Sequence, residues 1–258
     1  MSETTRDQAN QDLSNETIRT LIAHRSIRRY KPDPVEPAKR DAILYAAQMA
    51  STSSNMQAYS VIGVTEPALK RELAVLTGNQ AYVEQCPLFL VWCADLYRLK
   101  EAGAKHGTAI AEDTTENFII ATVDAALAAQ NAASAAESLG LGIVYIGGIR
   151  NRIAEVTGLL KLPKLVYPVF GMCLGYPDQD PGLRPRLPVS GIYHENAYRP
   201  EQIRPAIDEY DRIVSDYMRV RTGGQSDRDW SSQMAERLSV PQRAHMRAYL
   251  EEQGFKLT

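Results

Sequence analysis

Apolar and polar positions along the chain follow two spacings, which predict interleaved strands and helices. Continuous apolar runs rich in β-branched residues are typical of buried strands, and they occur at 61–65, 88–94, within 140–150 and at 166–174. Apolar positions at helical spacing predict a first helix starting near Ser14 or Asn15, later helices over 37–49, 68–77, 114–139, 151–160 and 200–219, and two short amphipathic helices within 230–254. Since helices hold most residues, the pattern predicts a layered α+β or α/β domain with a central sheet.

The longest periodic segment, 114–139, has no strongly polar face. Small alanines lie on nearly every side of it, and Gly140 ends it. A helix of this kind is usually buried against a second helix or a second subunit. We therefore predict a core helix at a dimer interface. We also expect no apolar run to be long enough to cross a bilayer, and hence no membrane partner.

Composition limits the possible functions. The 258 residues are 44% hydrophobic and 23% charged, which is typical of a globular protein, and the net charge of −2 gives no global field that would attract nucleic acid. Cys86, Cys93 and Cys173 show no metal-ligand spacing; the last two lie in apolar runs and are expected to be buried thiols in a reduced, cytoplasmic compartment. Residues 1–12 are polar, lack the apolar region of a signal peptide, and are interpreted as a mobile tail.

One short stretch, 24–30, is dense in hydrogen-bond donors. It contains three arginines, a histidine and a serine, and it follows the first predicted helix. Guanidinium groups form paired, charge-assisted bonds to phosphate oxygens, so the stretch is a candidate anion site. The alternative is a solvated basic helix end, where cations suit the helix dipole.

Two further segments allow both a functional and a structural interpretation. Residues 50–57 are a series of hydroxyls and amides that either wrap a polar ligand or form a solvated loop. Gly147 and Gly148 follow a strand. In the functional interpretation they let the backbone come close to a flat ring or to a phosphate; in the structural one they form a tight strand-to-helix turn. The preceding Gly140-Leu-Gly segment lacks a third glycine and comes before its strand, so it is not a dinucleotide-binding fingerprint.

Taken in order, five motifs resemble the nitroreductase family of flavoproteins, and within it the NADPH-dependent, oxygen-insensitive nitroreductases and flavin reductases. They are His24-Arg-Ser-Ile-Arg, the Ser/Thr-rich segment ending in Gln57, Thr77-Gly-Asn-Gln, Gly140-Leu-Gly-Ile-Val-Tyr-Ile-Gly-Gly, and Pro185-Arg-Leu-Pro. The resemblance implies an α+β fold with a mainly antiparallel central sheet flanked by helices, in an intertwined homodimer. It also implies one FMN-binding domain over 13–258, of which about 200–258 is a helical, partly mobile excursion.

The resemblance implies a role for each matching position. The FMN phosphate would be held by His24, Arg25, Ser26 and Arg186. The pyrimidine edge of the flavin would face Arg28, and Arg184 stands near the ring where the family often has lysine. The ring itself would lie against Gln80, Tyr145, Ile146, Gly147 and Gly148, with a backbone N–H facing flavin N5. The partner subunit would contribute its own Thr52, Ser53, Ser54 and Gln57. NADPH would be gripped by Arg221, with Arg228 as the nearest further candidate.

The function implied is an FMN-dependent oxidoreductase with a ping-pong cycle. NADPH would pass a hydride to non-covalent FMN, and a flat acceptor such as a nitroaromatic or a quinone would then take two electrons. No side-chain acid or base and no metal is assigned. Three alternatives stay open: a flavin reductase that supplies reduced FMN to a monooxygenase, a flavin-binding sensor or carrier without turnover, and a helical scaffold with a basic binding patch.

Overall fold

A computed structural model of the protein describes residues 15–112, 114–256 and 258. The chain divides into two compact units, Met1–Gly182 with His245–Thr258, and Leu183–Ala244. The predicted tail over 1–12 and the alternative helix start at Ser14 lie outside the described residues. A single domain over 13–258, with a partly mobile excursion, stays a prediction.

The secondary structure follows the predicted order closely. The α-helices are α1 (Glu16–Ile22), α2 (Pro37–Gln48), α3 (Pro67–Leu76), α4 (Ala81–Gln85), α5 (Tyr97–Ala104), α6 (Thr115–Ser138), α7 (Ile153–Leu159), α8 (Ile203–Arg221), α9 (Trp230–Leu238) and α10 (Met246–Gln253). The strands are β1 (Tyr59–Val64), β2 (Leu88–Asp95), β3 (Gly142–Ile146) and β4 (Val166–Gly175). Short 3₁₀ turns lie at Ser53–Asn55, Gly147–Arg150, Val189–Gly191 and Pro200–Gln202.

Local signals explain several of these boundaries. The Asn15 side chain accepts a hydrogen bond from the Ile18 N–H at 3.0 Å and so caps α1. Pro37 and Pro67 occupy the first turns of α2 and α3, where proline costs no hydrogen bond. Gly78 and Gly140 follow α3 and α6 with φ of 100° and 78°, the left-handed conformation that glycine adopts easily after a helix.

The four strands form one antiparallel sheet in the order β1-β2-β4-β3. Every residue of β2 is buried and β4 is buried except for the partly exposed Phe170, as expected for strands in the middle of a sheet that is covered on both faces.

Cys86, Cys93 and Cys173 are buried, and burial raises the pKa of the Cys93 thiol to about 12. The antiparallel α+β fold and the two core thiols are therefore confirmed.

The long helix α6 packs on α2 and on β2. The face that packs there is formed by small side chains and one carboxylate: Ala121, Asp124, Ala125, Ala128, Ala129, Ala132, Ala133 and Ala136. Ile119, Val123 and Leu127 lie on exposed positions of the same helix. The prediction of a core helix is confirmed for one face, and the other face is apolar and uncovered in the single chain.

By length and composition α6 could cross a membrane, so the expectation that no apolar run is long enough was wrong. The core helix of a globular protein can meet the same criterion, and one such helix is weak evidence for a span. Its alanine face and the buried Asp124 are typical of a core helix.

The second unit contains α8 and α9. Asp211 on α8 accepts hydrogen bonds from the Ser231 N–H and hydroxyl at 2.8 and 2.6 Å, and the rings of Tyr210 and Trp230 lie 5.6 Å apart. Asp229 caps α9, and the hydrogen bonds that it accepts from Ser232 lower the pKa of its carboxyl. These contacts join α9 to α8 within this unit.

Candidate functional site

The basic stretch is fixed along the edge strand of the sheet. The N–H of Ile27 donates to the Ile143 carbonyl at 2.8 Å, and the Ile27 side chain is buried with 3% exposure. The close approach requires glycine at position 142, because a Cβ there would collide with the Ile27 side chain. Tyr30 donates its hydroxyl to the Ile27 carbonyl at 2.6 Å. The stretch thus lies beside the start of β3, whose other end carries Gly147 and Gly148.

Carboxylates accompany the basic residues of this stretch. His24 Nδ1 lies 2.6 Å from Glu137 Oε1, and Arg25 Nε lies 3.0 Å from Asp180 Oδ1. Ser26 is half-buried and Arg28 is exposed. A cavity of about 410 Å³ opens here, lined among others by Arg19, Arg25, Glu137, Gly140, Gly142 and Gln179. Of the donors predicted for a phosphate, His24, Arg25 and Ser26 are adjacent in this stretch, and the first two contact acidic side chains.

The end of β3 is shaped by a close approach of two other segments. A Cβ on Gly148 would collide with the Thr77 carbonyl and with the Gln80 side chain. Gln80 Nε2 donates to the Thr77 carbonyl at 2.6 Å, and the Tyr82 hydroxyl donates to Gln80 Oε1. The structure thus brings Gln80 and Gly148 together. Ile146 is buried, and Gly147 is partly exposed.

Tyr145 lies on β3 and is held by two contacts. Its hydroxyl donates to Gln130 Oε1 at 3.3 Å, and its ring meets the Phe170 ring edge-on at 5.1 Å. Burial raises the pKa of Tyr145 above its ordinary value, and the charge of Glu137 adds to this. Tyr145 is therefore a neutral phenol at physiological pH and a hydrogen-bonding group rather than an acid.

The segment from Thr52 to Gln57 has unusual backbone torsion angles. Ser54, Asn55 and Gln57 have φ of 47°, 57° and 51°, in the left-handed region that non-glycine residues seldom adopt. Ser53, Ser54 and Gln57 are exposed and Thr52 is half-buried. Their hydroxyls and amides are thus available on the surface of the unit to a ligand or a second chain.

The arginines of the second unit have aromatic and acidic neighbours. Arg184 and Arg186 are exposed and line a cavity of about 260 Å³ together with Tyr210, Tyr217 and Trp230. Arg221 donates to the Tyr217 hydroxyl, and its guanidinium carbon lies 5.7 Å from the centre of that ring. Arg228 forms an ion pair with Glu236. Of the two NADPH candidates, Arg228 is thus already matched by an opposite charge.

The side chains that contact the basic stretch and the segment from Thr52 to Gln57 were not predicted from the sequence. Glu137 and Asp180 face the basic stretch, and Asp124 and Arg98 face the segment from Thr52 to Gln57. One signal was available: Asp124 is the only charged residue between Glu116 and Glu137, and a lone carboxylate in an alanine-rich helix needs partners. In residues 15–112, 114–256 and 258, no group of three His, Cys, Asp or Glu side chains could hold a metal ion.

The chain is similar to known proteins over most of its length. The Nitroreductase family profile matches residues 21–176, and that of the Nitroreductase family, C-terminal domain, matches residues 184–258. The chain is 46% identical over 245 residues to FMN reductase (NADPH) of Bacillus subtilis, covering 93% of this chain and 98% of that protein. It is 44% identical over 240 residues to the oxygen-insensitive NADPH nitroreductase of Salmonella typhimurium, covering 93% and 98%.

A solved structure gives the same result for the fold. The structure of the NfrA1 nitroreductase from B. subtilis superposes with a TM-score of 0.90 at 45% identity, covering 93% of this chain and 99% of that chain. The resemblance inferred from the five motifs is confirmed. Two profiles that together cover most of the chain, and close similarity over nearly its whole length, show that this protein belongs to the nitroreductase family.

Proposed function

We propose that this protein is an NADPH-dependent FMN oxidoreductase that passes two electrons to flat acceptors such as nitroaromatics and quinones. The observation that carries the proposal is the turn after β3, where Gly148 lies against Gln80 at the end of the strand to which the basic stretch is fixed. The names of the relatives, an FMN reductase (NADPH) and an oxygen-insensitive NADPH nitroreductase, support the same activity.

The residues present fit FMN. The donors of His24, Arg25 and Ser26 suit a phosphate monoester, which accepts several charge-assisted hydrogen bonds. Gly147 is partly exposed and carries no side chain, so its backbone is open to a flat ring, whereas the space beside Gly148 is filled by the Thr77 carbonyl and Gln80. The family resemblance implies that Arg186, Gln80, Tyr145 and Ile146 would add further contacts to FMN, and that the partner would add its Thr52, Ser53, Ser54 and Gln57.

When bound, FMN supplies the two-electron redox chemistry, and the protein supplies position and charge. Arg28 and Arg184 would place positive charge near the pyrimidine edge, where negative charge develops on reduction, and so favour the reduced form. Arg221 would bind a phosphate of NADPH, and Arg228 could do so only by leaving Glu236. Hydride transfer from NADPH needs no side-chain proton. Reduction of a quinone or a nitro group takes up a further proton, and no side chain is assigned to supply it.

Steady-state kinetics test this function. In a ping-pong cycle, double-reciprocal plots against NADPH at several nitroarene concentrations are parallel, and kcat/KM for a nitroarene or a quinone exceeds that for free FMN. A higher kcat/KM for free FMN would instead favour a flavin reductase that serves a partner monooxygenase. Loss of turnover with every acceptor, in protein that retains FMN, would favour a sensor or carrier.

Asp180 is expected to compete with the cofactor phosphate for Arg25. Because its carboxylate lies 3.0 Å from Arg25 Nε and is largely exposed, Asp180→Asn should tighten FMN binding modestly, by about two- to threefold, a value typical of an exposed charge pair. Fluorescence quenching of FMN on titration measures the Kd. Asp178→Asn, which removes a neighbouring carboxylate from beside Arg29, is the matched control and should change the Kd less. Weaker FMN binding in Asp180→Asn would contradict the competition.

We also propose a cytoplasmic homodimer. Apolar side chains are exposed on three helices of the first unit: Ile18, Leu21 and Ile22 of α1, Tyr45 of α2, and Ile119, Val123 and Leu127 of α6. Exposed apolar surface of this extent is typical of a subunit interface. Light scattering coupled to size-exclusion chromatography should give twice the mass of the chain, 28.7 kDa, and a monomer mass at micromolar concentration would contradict the dimer.

A further inference from the structure

We infer that Asp124 is a positioning residue for the flavin site: its carboxylate holds the segment from Thr52 to Gln57 in the conformation that presents its hydroxyls and amides to the cofactor. This inference rests on the proposed function, because the segment is a flavin contact only if the protein binds FMN. Asp124 lies on α6 and does not itself reach the surface, with 1% exposure. It therefore acts through the backbone of the segment rather than on the cofactor.

Both carboxylate oxygens of Asp124 are used on this segment. Oδ1 accepts the Ser53 N–H at 3.1 Å, and Oδ2 accepts the Ala58 N–H at 3.0 Å. The two bonds bracket the segment, so one side chain fixes both of its ends. Each N–H is directed inward, whereas the side chains of Ser53, Ser54 and Gln57 are exposed on the other side. An anchored backbone with exposed polar groups is the arrangement that a rigid ligand contact needs.

The conformation of the segment requires such an anchor. Ser54, Asn55 and Gln57 all have positive φ, which is unfavourable for residues with a side chain and persists only when surrounding contacts enforce it. Without the two hydrogen bonds, an unbound segment would sample other conformations, and part of the cofactor-binding free energy would then be spent on ordering it.

Arg98 forms hydrogen bonds to the end of the same segment and to the start of β1. Its Nη1 donates to the carbonyls of Gln57 and Tyr59, each at 3.1 Å, and its Nη2 donates to the Ser60 hydroxyl at 2.9 Å. The carboxylate of Asp95 lies 3.6 Å from Nη2 and orients the guanidinium. Asp124 thus accepts N–H groups at the two ends of the segment, and Arg98 donates to the carbonyl of its last residue and to β1 beyond it, so the two side chains make complementary contacts.

The test compares Asp124→Asn with a matched control, Gln253→Leu, in the FMN-loaded full-length protein. Asparagine keeps the size of the side chain but loses one acceptor, so one of the two N–H groups is left without its bond. Gln253 is also buried and also makes two hydrogen bonds to backbone, to the carbonyls of Pro163 and Val166, away from the segment. Both variants are expected to unfold at lower temperature than the parent.

Only Asp124→Asn should affect the site. We expect its FMN Kd to rise about fivefold, the effect of one unpaired buried donor, and hydrogen exchange in peptides covering 50–58 to become faster. Gln253→Leu should leave both unchanged. Parental FMN affinity in Asp124→Asn, or an equal loss in Gln253→Leu, would overturn the inference.

A second variant applies if asparagine at position 124 prevents folding. Arg98→Met changes a half-exposed side chain and should weaken FMN binding with faster exchange over 50–58; parental values of both would overturn the inference. A parent protein that takes up no FMN would overturn the proposed function as well. Parental FMN binding in the variants would overturn only the role of Asp124.

Discussion

Replacing Arg25 by alanine is expected to weaken FMN binding by about 10- to 100-fold, the range for a lost hydrogen bond between charged groups. Arg25 is the member of the basic stretch whose guanidinium lines the cavity beside β3. Its neighbours Ala23 and Asp180 orient it, since it donates to the Ala23 carbonyl at 3.1 Å and lies 3.0 Å from the Asp180 carboxylate. FMN fluorescence quenching gives the Kd, and dialysis shows whether the purified variant still retains the flavin.

Arg29→Ala is the matched control for that substitution. It removes the same charge from the same stretch, but the Arg29 guanidinium donates to the Asp178 carbonyl at 2.7 Å and is mostly exposed. We expect its FMN Kd to stay close to that of the parent. If both variants weaken binding equally, the stretch acts only as a diffuse positive charge. If Arg25→Ala keeps the parental Kd, the phosphate site lies elsewhere.

Replacing Arg221 by alanine is expected to raise the KM for NADPH by about 10- to 100-fold while kcat changes little, the pattern for lost binding that is equal in ground and transition states. Arg221 ends α8, just before Gly223 and Gly224, and its contacts with Tyr217 hold the guanidinium against an aromatic ring. The KM for NADH, which lacks the 2′-phosphate, tells which phosphate is bound: it should be unchanged if Arg221 binds the 2′-phosphate.

The control for Arg221 is Arg219→Ala. Both residues lie in the last turn of α8, but Arg219 forms an ion pair with Asp216 at 3.0 Å. We expect Arg219→Ala to keep the parental KM for NADPH. Equal kinetics for the parent and Arg221→Ala would remove Arg221 from the NADPH site, and a fall in kcat alone would place its role in a later step.

Much of the fold follows from the sequence pattern, because burial imposes the pattern. The run at 88–94 predicts a buried strand, and β2 spans Leu88–Asp95 with every position buried. The helices α4 and α5 were not predicted: α4 has only five residues, too few to show a helical spacing, and α5 buries none of its residues and so has no apolar stripe. Strand order depends on pairing between distant segments, so the spacing alone left α+β and α/β open, and the family resemblance was needed to predict the antiparallel sheet.

The candidate site was predictable where its chemistry is carried by a local motif. The stretch at 24–28, the segment at 52–57 and the glycine pair each stand out in the sequence, and their order supported the resemblance. The family, the enzyme class and the FMN and NADPH dependence agree with the names of the close relatives. The roles of the individual residues stay predictions.

The partners of these motifs could not be read from the sequence because they are distant in the chain. Glu137 lies 113 residues after His24, and Asp124 lies 71 residues after Ser53. Contacts between residues so far apart in the chain can be identified only once the fold is known. The aromatic contact of Arg221 was missed for a different reason, since Tyr217 is one helical turn away and gives no signal without side-chain positions.

The most direct test of the central claim is the anaerobic absorbance spectrum of the purified protein, recorded before and after one equivalent of NADPH. The account predicts an oxidised-flavin band, present on isolation or after addition of FMN, that NADPH bleaches quickly and that a nitroarene then restores. Protein that shows no flavin band even with added FMN, or a band that NADPH leaves unchanged, would contradict it.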